Sequence, residues 1–322
     1  MQTKASSTWR KLFRGSNAST ITIFAIFVLM CALLYAIKPA FGDMTNLMNV
    51  ARAFSAYAIA GIGVSMVIMI GGIDISIGSI YGLAGVVSAL LITAAGVPTI
   101  WAMLIGFLVG ATCGLTNGLL VVYCKLPPYI ATLGTQMIFR GICYILTRGY
   151  PISGLGKDYL WLGQSYLLRI PMAVYAMVII IALFALFRNK MTTGRRIFAM
   201  GGNEEATRIS GVNTSRLKIL CFILSGITAG FAGIMNASKL GVSQPTAGNG
   251  FEMDAIASVV IGGATLSGGE GTVVGTVIGA AIIGVLRNML VLLSVDPYFQ
   301  TLIIGTVIIV AVSIDQIRKS RS

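Results

Sequence analysis

The chain contains no histidine, which excludes imidazole-based acid–base catalysis and His-ligated metal sites. Charge is scarce too: 10% of its 322 residues are Asp, Glu, Lys or Arg, against roughly 25% in a soluble domain. Acids are the rarest class, ten against 23 basic residues, for a formal charge of +13. In a soluble protein that excess would suggest nucleic acid. In a chain that is 56% hydrophobic it reports Lys and Arg retained on the cytoplasmic side of a membrane. The five cysteines, Cys31, Cys113, Cys124, Cys143 and Cys221, lie within or beside apolar segments at no metal-ligand spacing. They read as packing residues, and no metal site is expected.

What remains is apolar sequence in long runs, with a mean hydropathy of +0.89. Several runs approach the ~20 residues a helix needs to cross about 30 Å of hydrocarbon, and none shows the short alternation of a membrane barrel. The expected fold is therefore all-α, a polytopic transmembrane bundle of about ten spans. They run near 21–37, 47–70, 78–95, 99–122, 129–146, 172–187, 219–237, 253–266, 272–293 and 299–314. The 253–266 run is short for a simple crossing. The 39 glycines suit helices that pack closely in lipid. In domain terms, residues 1–18 form a cytoplasmic tail, 19–314 the membrane domain with a cytoplasmic loop at 188–218, and 315–322 a second tail.

Alternating the spans from a cytoplasmic N-terminus puts 15 of the 23 Lys and Arg on one side, among them Lys4, Arg10, Lys11, Arg14, Lys125 and seven in 188–218. That bias places both termini in the cytoplasm. The segment at 148–169 then becomes an external loop whose Trp161 and tyrosines suit an interfacial position. An internal echo links the two halves: "IGGIDISIG" (70–78) and "IGGATLSGG" (261–269) stand 191 residues apart. Each interrupts apolar sequence with Gly and Ser, as paired broken helices of transporter halves do. The two halves are thus weakly related.

The letters "LSGGE" (266–270) resemble the signature sequence of ABC-type ATPases, yet a phosphate loop of the form G-x-x-x-x-G-K-[ST] is missing. The nearest candidate, "GLGKD" (154–158), carries Asp where the magnesium-binding hydroxyl belongs. The chain is therefore not expected to be an enzyme, and "LSGGE" reads as a helix break. In the 188–218 loop, "GGN" (201–203) reads as a break. Asn203 then caps a short helix, Glu204 and Glu205 offset its dipole, and Ala206, Arg208 and Gly211 complete a compact docking knob.

That loop resembles the EAA-x-x-x-G loop of ABC importer permeases, with Thr207 in place of the second Ala. It is still more similar to the "GGN-x-E-A" loops of the ribose, xylose and galactose permease family. Matching stretches are "GGIDISIGS" (71–79), "YIATLGT" (129–135), "GRRIFAMGGNEEATRISGV" (194–212), "QPTAGNGFEMDAIASVVIGGATLSGGEG" (244–271) and "GTVIGAAIIGVLRN" (275–288), which together cover nearly the whole chain. Departures from the pattern are Arg287, Ile75 and Ile77. The resemblance implies a permease of a binding-protein-dependent monosaccharide importer in a bacterial inner membrane, ribose being the first cargo to consider. It implies two permease chains, a periplasmic sugar-binding protein, and a separate ATPase that docks on Asn203–Gly211 and carries the ATP and magnesium. This chain itself needs no cofactor.

Candidate pathway or gate residues are Gly72, Asp74, Ser76, Asn117, Gln136, Gly263 and Ser267. Asp74, an acid at membrane depth, either braces the first break or contacts cargo. Gln136 and Arg140 share one helix face and serve interhelical bonding or the pathway lining. Glu252 and Asp254 are either first-turn acids of a short helix or an external contact for the binding protein. An ion-coupled secondary transporter is the rival reading. It calls for a relay of intramembrane acids, of which Asp74 alone is a clear candidate. A lipid-directed membrane enzyme would need a catalytic cluster that the sequence does not show.

Overall fold

A computed structural model describes residues 16–320. The N-terminal basic residues Lys4, Arg10, Lys11 and Arg14, and Arg321, lie outside them. Among the described residues the chain forms thirteen α-helices and four two-residue strands. The helices are α1 (Ser16–Ile37), α2 (Met44–Met69), α3 (Ile77–Thr93), α4 (Thr99–Tyr123), α5 (Pro128–Thr147), α6 (Gly156–Gln164), α7 (Met172–Lys190), α8 (Thr192–Gly202), α9 (Glu204–Ile209), α10 (Thr214–Leu240), α11 (Phe251–Ile261), α12 (Val273–Leu292) and α13 (Pro297–Ser320). Seven of them, α1, α2, α4, α5, α7, α10 and α12, are long and apolar enough to cross a membrane. Each of the ten expected spans coincides with a helix. The short one does so differently from expectation, because α11 begins at Phe251 and already ends at Ile261. Its 11 residues reach about 16 Å at 1.5 Å per residue, roughly half of the hydrocarbon thickness.

The 27-residue α10 is the axis of the bundle, packed by α2, α3 and α4. Its approach to α4 depends on glycine: a Cβ at Gly226 would strike the Gly110 carbonyl oxygen, and one at Gly110 the Gly226 carbonyl oxygen. Such contact lets dispersion act between backbones where lipid supplies no hydrophobic drive. The main core gathers Ile59, Val64, Ile68, Ile77, Ile80, Ala229, Phe251 and Ala255 from α2, α3, α10 and α11. Apolar side chains also cover the outside, among them Phe24, Leu29 and Leu33 on α1 and Ile179, Leu183 and Leu186 on α7. Exposed apolar surface of that extent marks a membrane or protein contact.

The 148–169 segment holds α6 and part of two small antiparallel pairings, a long-range one between strands Ile152–Ser153 and Val242–Ser243 and a hairpin between Tyr166–Leu167 and Ile170–Pro171. Trp161, Tyr150 and Tyr166 are exposed as an interfacial segment requires, but Tyr159 departs from that expectation. It is buried with its hydroxyl 2.7 Å from Ser88 Oγ of α3, anchoring α6 to the bundle. Burial pushes the Tyr159 hydroxyl up to about 12, so this link keeps its proton at physiological pH.

Candidate translocation site and coupling helix

Both halves of the sequence echo are helix breaks. At the first, α2 stops where Gly71 takes a φ of +74°. The Gly71 N–H donates to Ile68 O at 2.9 Å and the Gly72 N–H to Val67 O at 3.0 Å, the paired bonds that close a helix on a left-handed glycine. At the second, α11 stops on Gly263 (φ +88°), whose N–H donates to Val260 O at 2.9 Å while Ala264 N–H reaches Val259 O at 3.1 Å. The same cap thus recurs, one residue later in the second copy than the sequence echo aligns it. Residues 70–76 and 262–272 are the two non-helical stretches, and "LSGGE" lies inside the second.

The first break is held by a chain of buried polar groups. Asp74 Oδ1 accepts from the Ser76 N–H at 3.0 Å and the Ser76 hydroxyl at 2.6 Å, and Asp74 Oδ2 accepts from Ser225 Oγ of α10 at 2.7 Å. Asn117 Nδ2 of α4 donates to Ser76 Oγ at 2.7 Å, and Thr135 Oγ1 of α5 donates to Asn117 Oδ1 at 2.6 Å. Thr132 Oγ1, also on α5, accepts the Ile75 N–H at 3.2 Å. Asp74, Ser76 and Asn117 therefore come together with both Asp74 oxygens engaged, the geometry of a brace joining the break to three helices. Ser225, Thr132 and Thr135 went unnoticed in the sequence because a hydroxyl in an apolar helix carries no signal until its partner is known.

Gln136 and Arg140 lie elsewhere, along α5. Gln136 Nε2 donates to Glu252 Oε1 at 3.3 Å. Arg140 gathers three carbonyls, Pro245 O at 2.5 Å, Ala247 O at 2.7 Å and Gly78 O at 3.1 Å. Those contacts pin residues 242–250, a polar stretch that turns into the bundle beside α3 before α11 begins. Glu252 and Asp254 are 7% and 4% exposed. Asp254 pairs with Arg287 of α12 at 2.6 Å, which answers one departure from the family pattern: the extra cation has a buried acid. Both acids lie in the first turn of α11, and the bundle encloses both carboxylates.

The loop knob is α9, whose Asn203 Oδ1 accepts the Ala206 N–H at 2.8 Å. Its far end closes on Gly211 (φ +79°), which donates to Arg208 O at 3.0 Å. Glu205 pairs with Arg208 at 2.7 Å, Glu204 with Lys218 at 2.7 Å, and Ile209 stands 77% exposed at the tip. One expectation changes here: Gly201 and Gly202 do not break the chain but form the last turn of α8, and the direction changes at Asn203.

That last turn meets both breaks. The Gly269 N–H of the second donates to Met69 O at the end of α2 at 2.9 Å. A Cβ on Gly201 would collide with Met69 O and come within 2.9 Å of Gly269 N. One on Gly71 would approach Ser267 O at 3.5 Å. Gly71, Ser267 and Gly201 therefore belong to one backbone junction, directly behind α9. Beside it a cavity of about 490 Å³ opens between Gly71, Gly72, Lys125, Pro128, Glu204 and Lys218.

A polytopic bundle with two facing broken helices, abutted by one short surface helix, is an architecture that membrane transporters use. Residues 46–312 match the family described as "Branched-chain amino acid transport system / permease component", and the chain belongs to that family. It is 38% identical over 306 residues, 94% of each chain, to the ribose import permease RbsC of Bacillus subtilis. It is 36% identical to the D-allose transport system permease AlsC of Escherichia coli, covering 91% of this chain and 90% of the relative. The galactose/methyl galactoside import permease MglC of the same organism is 34% identical, with 93% and 94% covered. No solved structure matches. The chain is a multi-pass inner-membrane protein and the permease subunit of an ABC-type importer.

Proposed function

We propose that this permease carries a monosaccharide inward, ribose being the first cargo to test, as one of two identical chains that enclose the pathway. A periplasmic binding protein delivers the sugar, and a separate ATPase, holding ATP and magnesium, docks on α9. Both termini face the cytoplasm, and lipid surrounds the apolar belt. The observation that carries this reading is the junction of α8 with residues 69–72 and 267–269: a push on α9 reaches both broken helices through backbone contact. Closure of the ATPases then shifts the breaks together and alternates access.

The docking assignment is tested on the caps of α9. Asn203→Ala removes a cap worth about 1 kcal/mol. Gly211→Val forces a β-branched residue into the left-handed region at about 1–2 kcal/mol. The double variant is expected to bind its ATPase at least about tenfold more weakly in a pull-down titration, each 1.4 kcal/mol being tenfold. Wild-type ATPase affinity and coupling in the double variant would remove α9 from the interface.

A further inference from the structure

At the end of the bundle away from α9 lies a cavity of about 100 Å³, walled by α2, α3, α6, α7, α10 and α11. Its charged lining is Arg52 and Lys239, joined by the Asn236 amide, and no carboxylate lines it. Arg52 Nε and one terminal nitrogen are buried with no hydrogen-bond partner. The guanidinium carbon sits 4.7 Å from the Tyr166 ring centre, a contact that gives those two nitrogens no hydrogen-bond acceptor. Among the described residues neither cation forms an ion pair, and the nearby acid Asp254 is taken by Arg287. Two like charges lining one small cavity with unmade donors are stable together when an anion sits between them.

Size narrows the anion. A water occupies about 30 Å³ of liquid, so this space holds about three waters or one tetrahedral oxyanion, well short of the ~300 Å³ from which organic-ligand pockets start. A guanidinium fork beside an ammonium is a donor set that suits phosphate oxygens. We propose that the Arg52–Lys239 cavity is a binding site for a small oxyanion of the phosphate class. Occupied, it ties α2 to α10, the two helices that flank the Asp74 brace. Free phosphate and the phosphate of a lipid headgroup offer the same chemistry.

The test follows thermal unfolding of the full-length purified permease in a neutral detergent, titrated with sodium phosphate against sodium chloride at matched ionic strength. The expected result is a saturable rise in Tm with phosphate, absent with chloride, lost in Arg52→Gln and weakened in Lys239→Gln. Arg195→Gln, a change in the 188–218 loop, keeps the rise. Nanodiscs with phosphatidylglycerol or phosphatidylcholine form the second arm. An Arg52-dependent stabilisation by phosphatidylglycerol alone supports the site with a headgroup as occupant. Should Arg52→Gln fail to fold, Lys239→Gln decides. No response to either source, or an equal response in the folded variants, overturns the proposal.

Discussion

Replacing Gly201 by valine is expected to abolish coupled transport while leaving the permease able to bind its ATPase. The Cβ of any residue at 201 enters the space of Met69 O, the acceptor of the Gly269 N–H that joins the two breaks. Overpacking of this kind costs about 1–3 kcal/mol, and the atoms it meets belong to backbone with no rotamer to turn away. The strain falls on the contact that relays α9 to the breaks, not on α9, whose caps at Asn203 and Gly211 are untouched. Sugar uptake per ATP hydrolysed should fall at least about tenfold. Gly202 supplies the control: a Cβ there has no atom within 4 Å. Its φ is not left-handed, so Gly202→Ala should transport at the wild-type rate and steady α8 slightly. Equal uptake by Gly201→Val and Gly202→Ala would dissolve the junction as a relay.

The second large effect belongs to Asp74. Asp74→Leu strands the Ser76 and Ser225 hydroxyls and the Ser76 N–H in a buried site, at about 1–3 kcal/mol for each donor left unmade. Together they take a large part of an ordinary stability of about 5–15 kcal/mol, and the folded yield by size-exclusion chromatography should fall sharply. Asp74→Asn keeps the shape and one carbonyl acceptor, and the hydroxyls can turn to accept from its amide. It should fold and retain most uptake. Here the brace parts company with an ion relay, in which a non-titrating amide would stop transport as completely as leucine. Full loss of uptake in a well-folded Asp74→Asn protein would favour the relay.

These residues also mark how far a sequence carries. Membrane helices were legible because length and apolarity act locally, and the breaks were legible because glycine pairs interrupt them twice. The cap of α9 was visible in Asn203 and Gly211, since capping involves neighbours three or four residues away. Depth and partner choice were not. Residues 242–250, with Pro245, Gly248 and Gly250, look like any polar turn, and Arg140, more than a hundred positions earlier, ties them to the bundle together with the strand pair 152–153/242–243. Glu252 and Asp254 were recognisable as first-turn acids, yet Gln136 and Arg287 decide that they are enclosed. Gly201 looked like part of a break because two glycines before Asn usually end a helix. Its real constraint is the approach of Met69 and Gly269, which sequence spacing does not encode.

This chain is proposed as the passive, ATPase-coupled half of a sugar importer. The most direct test is labelled-ribose uptake into proteoliposomes holding the permease, its ATPase and the binding protein, with each omitted in turn. The expected result is uptake that requires all three and ATP and that ignores imposed ion gradients. Uptake by the permease alone, driven by a proton or sodium gradient, would contradict it.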